Sequence, residues 1–318
     1  MGERRMAVVG IGAIGAVLAA ALLSQDGDTV LVAPSPAKRQ ALKDEGLRVT
    51  GVLEYQARPR HVLASARELR DFAPEVVFIA TKTFHLDGVL DDLREVAGPG
   101  TALISCHNGL GTEDVIAARY GAKSAFRVSM NYGAALTGPS TAQVAFFNRP
   151  NPLGAVDPAG RALGAELAAL LTSAGLDTQL VEDIKLLVWK KMVMKCTMAN
   201  ICAVLDCTIR QGLESPPSRA IAERCFAEIL AVAQAMGHGL GPDYMTQAYA
   251  YLDKVGQHKD SICVDLANGT RTEIDFLGGK VVEYARQAGL EVPYYETMTN
   301  LVRALEYRRL GGVPAAGR

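Results

Sequence analysis

Paired cysteines, tryptophan and blocks of like charge are all scarce in this chain of 318 residues. The six cysteines (106, 196, 202, 207, 225 and 263) contain no CxxC pair and no His/Cys spacing suited to zinc. That excludes a sequence-readable disulfide framework or structural zinc site, and fits thiols acting as small buried hydrophobes in a reducing, cytoplasmic setting. Basic and acidic residues nearly cancel, 33 against 34, and no basic block or basic–aromatic patch occurs, so nucleic acid is not an expected partner. His85 has no neighbour at metal-ligand spacing, and no metal is expected. There is no repeat of fixed period and no low-complexity tract. Long apolar runs are also few. The one that resembles a secretory signal is "MGERRMAVVGIGAIGAVLAAALL", with Arg4 and Arg5 before it and small residues at its end. Gly10, Gly12 and Gly15 argue against that reading, because a strand, turn and helix requires them and a signal peptide leaves them arbitrary. No membrane partner is expected.

The length favours two domains over one core. In the first half, strands and helices alternate. "MAVVGI", "TVLVA", "EVVFIA" and "TALISC" are continuous apolar strands, and "AIGAVLAAALLSQ", "AKRQALKDEG" and "LDGVLDDLREVAG" are helices between them. Strands apolar on both faces and joined by helices imply a doubly wound parallel sheet. "SAFRVSMNYGAAL" and "AQVAFF" read as further strands. From about residue 183 every strong pattern is helical: "DIKLLVWKKMVMKCTMANICAVLD", "SPPSRAIAERCFAEILAVAQAMG", "PDYMTQAYAYLDKVG", "TEIDFLGGKVVEYARQAG" and "VPYYETMTNLVRALEYRR". Ser215 before Pro216 and Pro217 is a start signal, and Gly289 is a stop signal. The expectation is therefore an α/β dinucleotide domain over residues 1–182, an all-helical substrate domain over 183–318, and a frayed "GGVPAAGR" tail. Apolar stripes on the helices give the second domain a surface able to pair with its own copy as a homodimer, although nothing in the sequence requires it.

"VVGIGAIG" supplies G-x-G-x-x-G directly after the first strand and at the opening of an apolar helix. Gly10 allows the tight turn, Gly12 lets the backbone approach a pyrophosphate, and Gly15 lets helix and strand pack closely. Free N–H groups of the helix start, at Ala13 and Ile14, complete the cradle. At the end of the second strand an acid would select NAD and a basic residue NADP. "TVLVAPSPAKRQ" has no acid before Asp44 but offers Ser35, Lys38 and Arg39, which favours NADP(H). Lys38 and Arg39 fit equally well as the solvated first turn of a helix.

The odd segment of the second half is "VWKKMVMKCTMAN". Lys191 and Lys195 stand four apart on one helical face, among Val188, Trp189, Met192, Val193, Met194 and Met198. Two readings compete: stems snorkelling over apolar neighbours, or a catalytic lysine beside a second cation. The six methionines from 192 to 298 read as core filling.

"GIGAIG", "ATKTFH", "HNGLG", "WKKM", "RTEIDFLGG" and the later "GLEVP", in that order and over nearly the whole length, resemble the ketopantoate reductase (2-dehydropantoate 2-reductase) family. The resemblance implies a Rossmann domain, a helical C-terminal domain and NADPH-dependent reduction of a small-molecule 2-oxo acid in the cleft between them. It puts Lys191 at the catalytic lysine and Glu273 at a glutamate shared by catalysis and cofactor binding. Asn108 falls beside the nicotinamide, Lys82 near the adenosine end, Ala134 along the cofactor, and Ser261 on the substrate. The chemistry suits those types: hydride addition to a 2-oxo carbonyl leaves an alkoxide, and an ammonium within hydrogen-bond reach stabilises and protonates it. A lysine pKa near 10.4 is high for that task, and burial or a like charge such as Lys195 lowers it.

The chain also departs from the family. Asparagines expected four and eight positions after the lysine are Lys195 and Ala199, with Asn200 one place further. The asparagine expected three before the serine is His258, and the arginine expected after the second strand is absent, with Pro34 and Ser35 there. Lys195, Asn200 and His258 thus become substrate-binding candidates. An ammonium replacing an amide points toward a different, more anionic 2-oxo acid. A non-catalytic NADP(H) sensor, or a dehydrogenase of similar plan acting on 3-hydroxy acids or making opines, stays open as an alternative. Retention of Lys191 and Glu273 argues against the sensor, and the glycine pattern against the second.

Overall fold

A computed structural model describes residues 4–25 and 28–312. The chain divides into two compact units. One runs to His107 and resumes over Gly111–Ile184; the other comprises Asn108–Leu110 and the residues from Lys185 onward. The last six residues of the expected tail lie outside the described residues.

Among the described residues the first unit holds twelve strands: β1 Met6–Val9, β2 Val30–Val32, β3 Leu47–Gly51, β4 Tyr55–Ala57, β5 Val62–Leu63, β6 Val76–Ile79, β7 Ala102–Ser105, β8 Ala125–Val128, β9 Tyr132–Leu136, β10 Thr141–Phe147, β11 Asn151–Ala155 and β12 Thr178–Leu180. Five helices join them: α1 Ala13–Gln25, α2 Pro36–Asp44, α3 Leu86–Asp92, α4 Thr112–Tyr120 and α5 Arg161–Ser173. Eight strands form one sheet in the order β12-β11-β8-β7-β6-β1-β2-β5, parallel except where β11 meets β8. The strands expected from continuous apolar runs are its centre, and both of their faces are buried. Met6 and Val8 pack under α1, while Ala7 and Val9 pack on the other face with Leu86, Leu90 and Ile116.

A second sheet, β4-β3-β10-β9, was not expected from the sequence. It accounts for the composition of α1. That helix packs against β1 on one side and against β3, β4, β9 and β10 on the other, so its residues from Gly15 to Leu23 are all buried. A helix covered all round has to be apolar all round, and this is the physical reason the opening run resembles a signal peptide. Among the described residues no helix is long and apolar enough to cross a membrane. "SAFRVSMNYGAAL" is two strands, not one: β8 belongs to the large sheet and β9 to the small one. Between them Asn131 donates its backbone N–H to the Asn151 side chain at 2.8 Å.

The second unit is helical: α6 Ile184–Leu205, α7 Ile209–Glu214, α8 Pro216–Ala235, α9 Tyr244–Val255, α10 Ser261–Ala267, α11 Gly278–Gln287 and α12 Pro293–Arg309. Met192, Met198 and Met298 fill its interior. "TEIDFLGGKVVEYARQAG" is interrupted: a 3-10 turn over Ile274–Phe276 precedes α11. Gly278 explains the tight passage, since a Cβ there would stand 2.4 Å from the Thr299 hydroxyl oxygen.

The glycine turn yields a stability contrast. A Cβ on Gly15 would come within 1.9 Å of the Gly10 carbonyl oxygen, whereas one on Gly12 meets nothing within 4 Å. Gly15→Ala is expected to lower unfolding free energy by about 2 kcal/mol or more, and Gly12→Ala to leave it within about 0.5 kcal/mol. Equilibrium urea unfolding of both variants checks this; equal midpoints would contradict the packing.

Candidate functional site

At the carboxyl end of β1 the chain turns at Gly10, whose φ of +95° is closed to most L residues. Its N–H bonds the Val32 carbonyl at 3.0 Å, and a Cβ there would stand 2.7 Å from the Thr81 nitrogen. Gly12 has open space around it, and α1 begins one residue later. Its first-turn N–H groups, at Ala13 and Ile14 among others, have no intrahelical acceptor. This turn therefore combines an unobstructed backbone with the positive end of a buried helix, which suits a pyrophosphate.

Ser35 caps α2, its hydroxyl accepting the Lys38 N–H at 3.4 Å. Lys38 is not a solvated first-turn residue. Its ammonium donates to the Ile11 carbonyl at 2.6 Å, on the glycine turn itself, and partial burial lowers its pKa. Arg39 donates to the carbonyls of Ala33 and Pro34 at 3.0 and 2.6 Å. Lys38 is thus held against the glycine turn and Arg39 against the end of β2. Lys82 is half-buried just after β6, at the start of a 3-10 turn over Thr83–His85. Ala134 lies on β9, partly buried against the core of the first unit; Tyr132 of the same strand donates its hydroxyl to the Ile14 carbonyl at 2.9 Å.

Residues that sequence reasoning passed over lie at the ends of β7 and β8. Arg127, 1% exposed, pairs with the buried Glu113 at 3.1 Å. It also donates to the Ser105 hydroxyl at 3.1 Å, to the Thr112 hydroxyl, and to the His107 carbonyl at 2.6 Å. The His107 ring bridges the hydroxyls of Ser105 (3.0 Å) and Thr81 (3.3 Å). Burial, with the Arg127 charge adding to it, pushes the His107 pKa down to about 3. The ring is neutral and is no acid–base group. Two isolated signals pointed here, "FRV" inside an apolar strand and the acid of "TED".

In the second unit, Lys191 and Lys195 are half-buried on α6 while Met192, Val193, Cys196 and Thr197 beside them are buried. The Lys191 ammonium donates to the Asn108 side-chain oxygen at 3.1 Å. Lys195 does not stand as a bare like charge. Its ammonium meets Asp260 at 2.8 Å and the Ser261 hydroxyl at 3.1 Å. Burial by itself would lower the Lys195 pKa, but Asp260, and Glu273 beyond it, more than offset that and raise it. Asp260 also caps α10, accepting the Ile262 N–H at 3.0 Å. Burial favours its neutral form, yet Lys195, that N–H and the charge of His258 together hold its pKa below the ordinary carboxylate value. Both partners stay charged, and Lys195 carries a compensated charge in place of the unopposed one expected to act on Lys191.

Glu273 is half-buried at the head of the Ile274–Phe276 turn. The segment before it is anchored by the Thr272 N–H donating to Glu306 at 2.7 Å, and the Phe276 carbonyl takes the Leu110 N–H at 3.1 Å. Within this unit Lys191 meets Asn108 and, one helical turn on, Lys195 meets Asp260 and Ser261 and feels the charge of Glu273. Two other candidates are not part of this group. Asn200 is 1% exposed, its amide donating to Thr299 at 3.3 Å under Gly278, so it is a core amide and its substrate role is withdrawn. His258 is exposed, and its charge bears on Asp260.

Two measurements check this electrostatic picture. Between pH 6.5 and about 3 the unfolded chain takes up a proton that folded His107 refuses, so stability falls as pH falls. The slope reaches about 1.4 kcal/mol per pH unit, and unfolding curves for His107→Asn are expected to be flatter than wild type between pH 6.5 and 4.5. Lys195→Met, which leaves Asp260 buried and unpaired, is expected to lose about 3 kcal/mol. Adding Asp260→Leu recovers most of that loss in calorimetry; no recovery would mean the pair is not coupled.

Family models described as "Ketopantoate reductase PanE/ApbA" and "Ketopantoate reductase PanE/ApbA C terminal" match residues 6–157 and 183–306. A 2-dehydropantoate 2-reductase of Streptococcus pyogenes serotype M3 is 30% identical over 302 residues, covering 94% of this chain and 97% of that protein. One from Pyrococcus abyssi is 25% identical over 300 residues, with coverage of 94% and 97%. Among solved structures, a PanE/ApbA family ketopantoate reductase from Ralstonia eutropha superimposes with a TM-score of 0.87 at 20% identity, covering 96% of this chain and 99% of that one. A D-mandelate dehydrogenase with NADH and anilino(oxo)acetate gives 0.87 at 23% identity, with the same coverage. These structures establish the common fold: a parallel-sheet α/β domain followed by a helical one. Together with the sequence matches, they place this chain in the ketopantoate reductase family, as an oxidoreductase of the 2-dehydropantoate 2-reductase kind.

Proposed function

We propose that this chain reduces a 2-oxo acid to a 2-hydroxy acid with NADPH, with Lys191 as the general acid. Residues 1–182 hold the dinucleotide and residues 183–318 the oxo acid. The observation that carries the reading is the Lys191 ammonium held by Asn108 at 3.1 Å, on a turn whose next lysine contacts Ser261. An ammonium within reach of a carbonyl oxygen stabilises the alkoxide as it develops and delivers the proton. Glu273 supplies a compensating carboxylate, whose charge reaches Lys195. The remaining N–H of Lys195, with the Ser261 hydroxyl beside it, offers a polar contact to a neutral oxygen of the substrate.

The dinucleotide supplies the hydride when bound. Its fit rests on the open backbone at Gly12, the α1 N-terminus, and the cations Lys38 and Arg39 that follow β2, where no acid waits for a free ribose diol. Glu273, Asn108, Lys82, Ser35 and Ala134 complete the proposed contacts.

The Lys195–Asp260 pair revises the substrate class. An unopposed ammonium would welcome a second carboxylate; one already matched by Asp260 at 2.8 Å offers a dipole, and Asp260 repels a further anion. The preferred substrate is therefore a monocarboxylic 2-oxo acid with a neutral side chain, ketopantoate or another. The fold shared with D-mandelate dehydrogenase in complex with NADH keeps a different side chain, and NADH, as the second reading.

Steady-state assays with NADPH and NADH against ketopantoate, an aryl 2-oxo acid and 2-oxoglutarate test this. Turnover of a neutral-side-chain acid is expected, with NADPH favoured by about tenfold or more in kcat/KM. Lys191→Ala is expected to lower kcat by about 10² to 10⁴. Preference for 2-oxoglutarate would overturn the revised substrate class. NADPH binding without oxidation by any oxo acid would indicate a sensor.

A further inference from the structure

The buried polar cluster at the ends of β7 and β8 has no task in the chemistry above, yet it is costly. Taking a guanidinium and a carboxylate out of water costs several kcal/mol per ion, and well-packed apolar residues often serve stability as well or better. Its placement suggests another use. The chain leaves the first unit after His107 and returns at Gly111, and the three residues between belong with the second unit. Arg127 holds both ends of that excursion. One terminal nitrogen takes the His107 carbonyl at 2.6 Å. The other bonds Thr112 and pairs with Glu113 at 3.1 Å, the two residues following Gly111. Ser105 closes the ring, within 2.7 Å of the Thr112 hydroxyl and 3.0 Å of His107. The neutral imidazole then reaches Thr81, which abuts Gly10 of the glycine turn. Asn108, the first residue of the excursion, is one peptide bond beyond the clamped carbonyl and accepts from Lys191.

We propose that Arg127, neutralised by Glu113, is a positioning residue: it fixes the two ends of the 108–110 excursion and thereby sets where Asn108 holds the Lys191 ammonium. It acts through the backbone and touches neither substrate nor cofactor. The proposal rests on the reading of Lys191 as the proton donor.

Two variants test it. Arg127→Lys keeps the charge but loses the planar fork that bonds two sites at once. Arg127→Met/Glu113→Leu removes both charges together and preserves an apolar core. Each is compared with wild type for melting, NADPH affinity, kcat, KM, and deuterium exchange over residues 106–111, alone and in an Asn108→Ala background. Folded variants are expected to lose about tenfold or more in kcat, with KM for the oxo acid within about twofold, and to exchange faster over 106–111. In the Asn108→Ala background the loss in kcat disappears, because the position being fixed no longer matters. Additive losses, an unchanged kcat in a folded variant, or failure of both variants to fold would overturn the positioning role. Should wild type reduce no oxo acid, the functional reading falls by itself; the exchange data still decide whether Arg127 fixes the excursion, and unaltered exchange rejects it.

Discussion

A guanidinium enclosed by protein must find an anion and acceptors for its N–H groups, and both terminal nitrogens of Arg127 find theirs where β7 ends and α4 begins. Its partners come from the end of β7, the loop beyond it and the first turn of α4, while it projects from β8 itself. These are the carboxyl ends of parallel strands, where open α/β sheets bind their ligands. His107 extends the network to Thr81, and Thr81 fills the space that makes Gly10 obligatory. One desolvated charge is thus joined, through Ser105 and His107, to the residue that abuts the glycine turn. A neutral histidine suits the link because it offers one donor and one acceptor; a charged ring would add repulsion to the arginine.

The same rule, that a buried charge must be matched, governs the lysine helix. Periodicity alone leaves two ammonium groups on an apolar turn looking like snorkelling stems. In the structure neither head is simply in water: one is held by an amide oxygen and the other by a carboxylate. The identity of Asp260 was invisible in the sequence because it lies 65 positions from Lys195 and is placed there by the loop before α10. Lys195 read alone looked like a net positive charge, and the expected taste for anionic substrates followed from that; in the proposed reading the partner Asp260 weighs against it.

What could be read from sequence were features with local causes. Continuous apolar runs gave the central strands, the 3.6-residue pattern gave α6, α8 and α12, and the glycine spacing gave the turn whose close contacts the structure displays. What could not be read depends on distant parts of the chain. The sheet β4-β3-β10-β9 consists of short strands, half exposed, whose residues acquire meaning only once α1 lies across them. The composition of α1 is the imprint of that sheet, visible but misleading without it. Arg127 and Glu113 were illegible because charged letters ordinarily mean surface. Asn200 was misread for the converse reason: a polar letter near a candidate lysine suggested a ligand contact, whereas a helix turn carries position 200 round to the interior against Thr299.

Charge matching also explains how a family can keep its chemistry while its substrates diverge. In the proposed reading, proton delivery needs an amine, an acceptor to hold it and a carboxylate nearby, here Lys191, Asn108 and Glu273, and each is anchored by contacts of its own segment. Positions 195 and 260 face a looser demand, that the charges there sum to nothing and that donors remain. An amide meets it, and so does an ammonium with a carboxylate at 2.8 Å. A lysine introduced alone would leave an unmatched charge beside the reacting amine; an aspartate alone would leave a buried anion. In that reading, substitution at either position costs least when its counterpart changes with it, because the charge left behind is then matched.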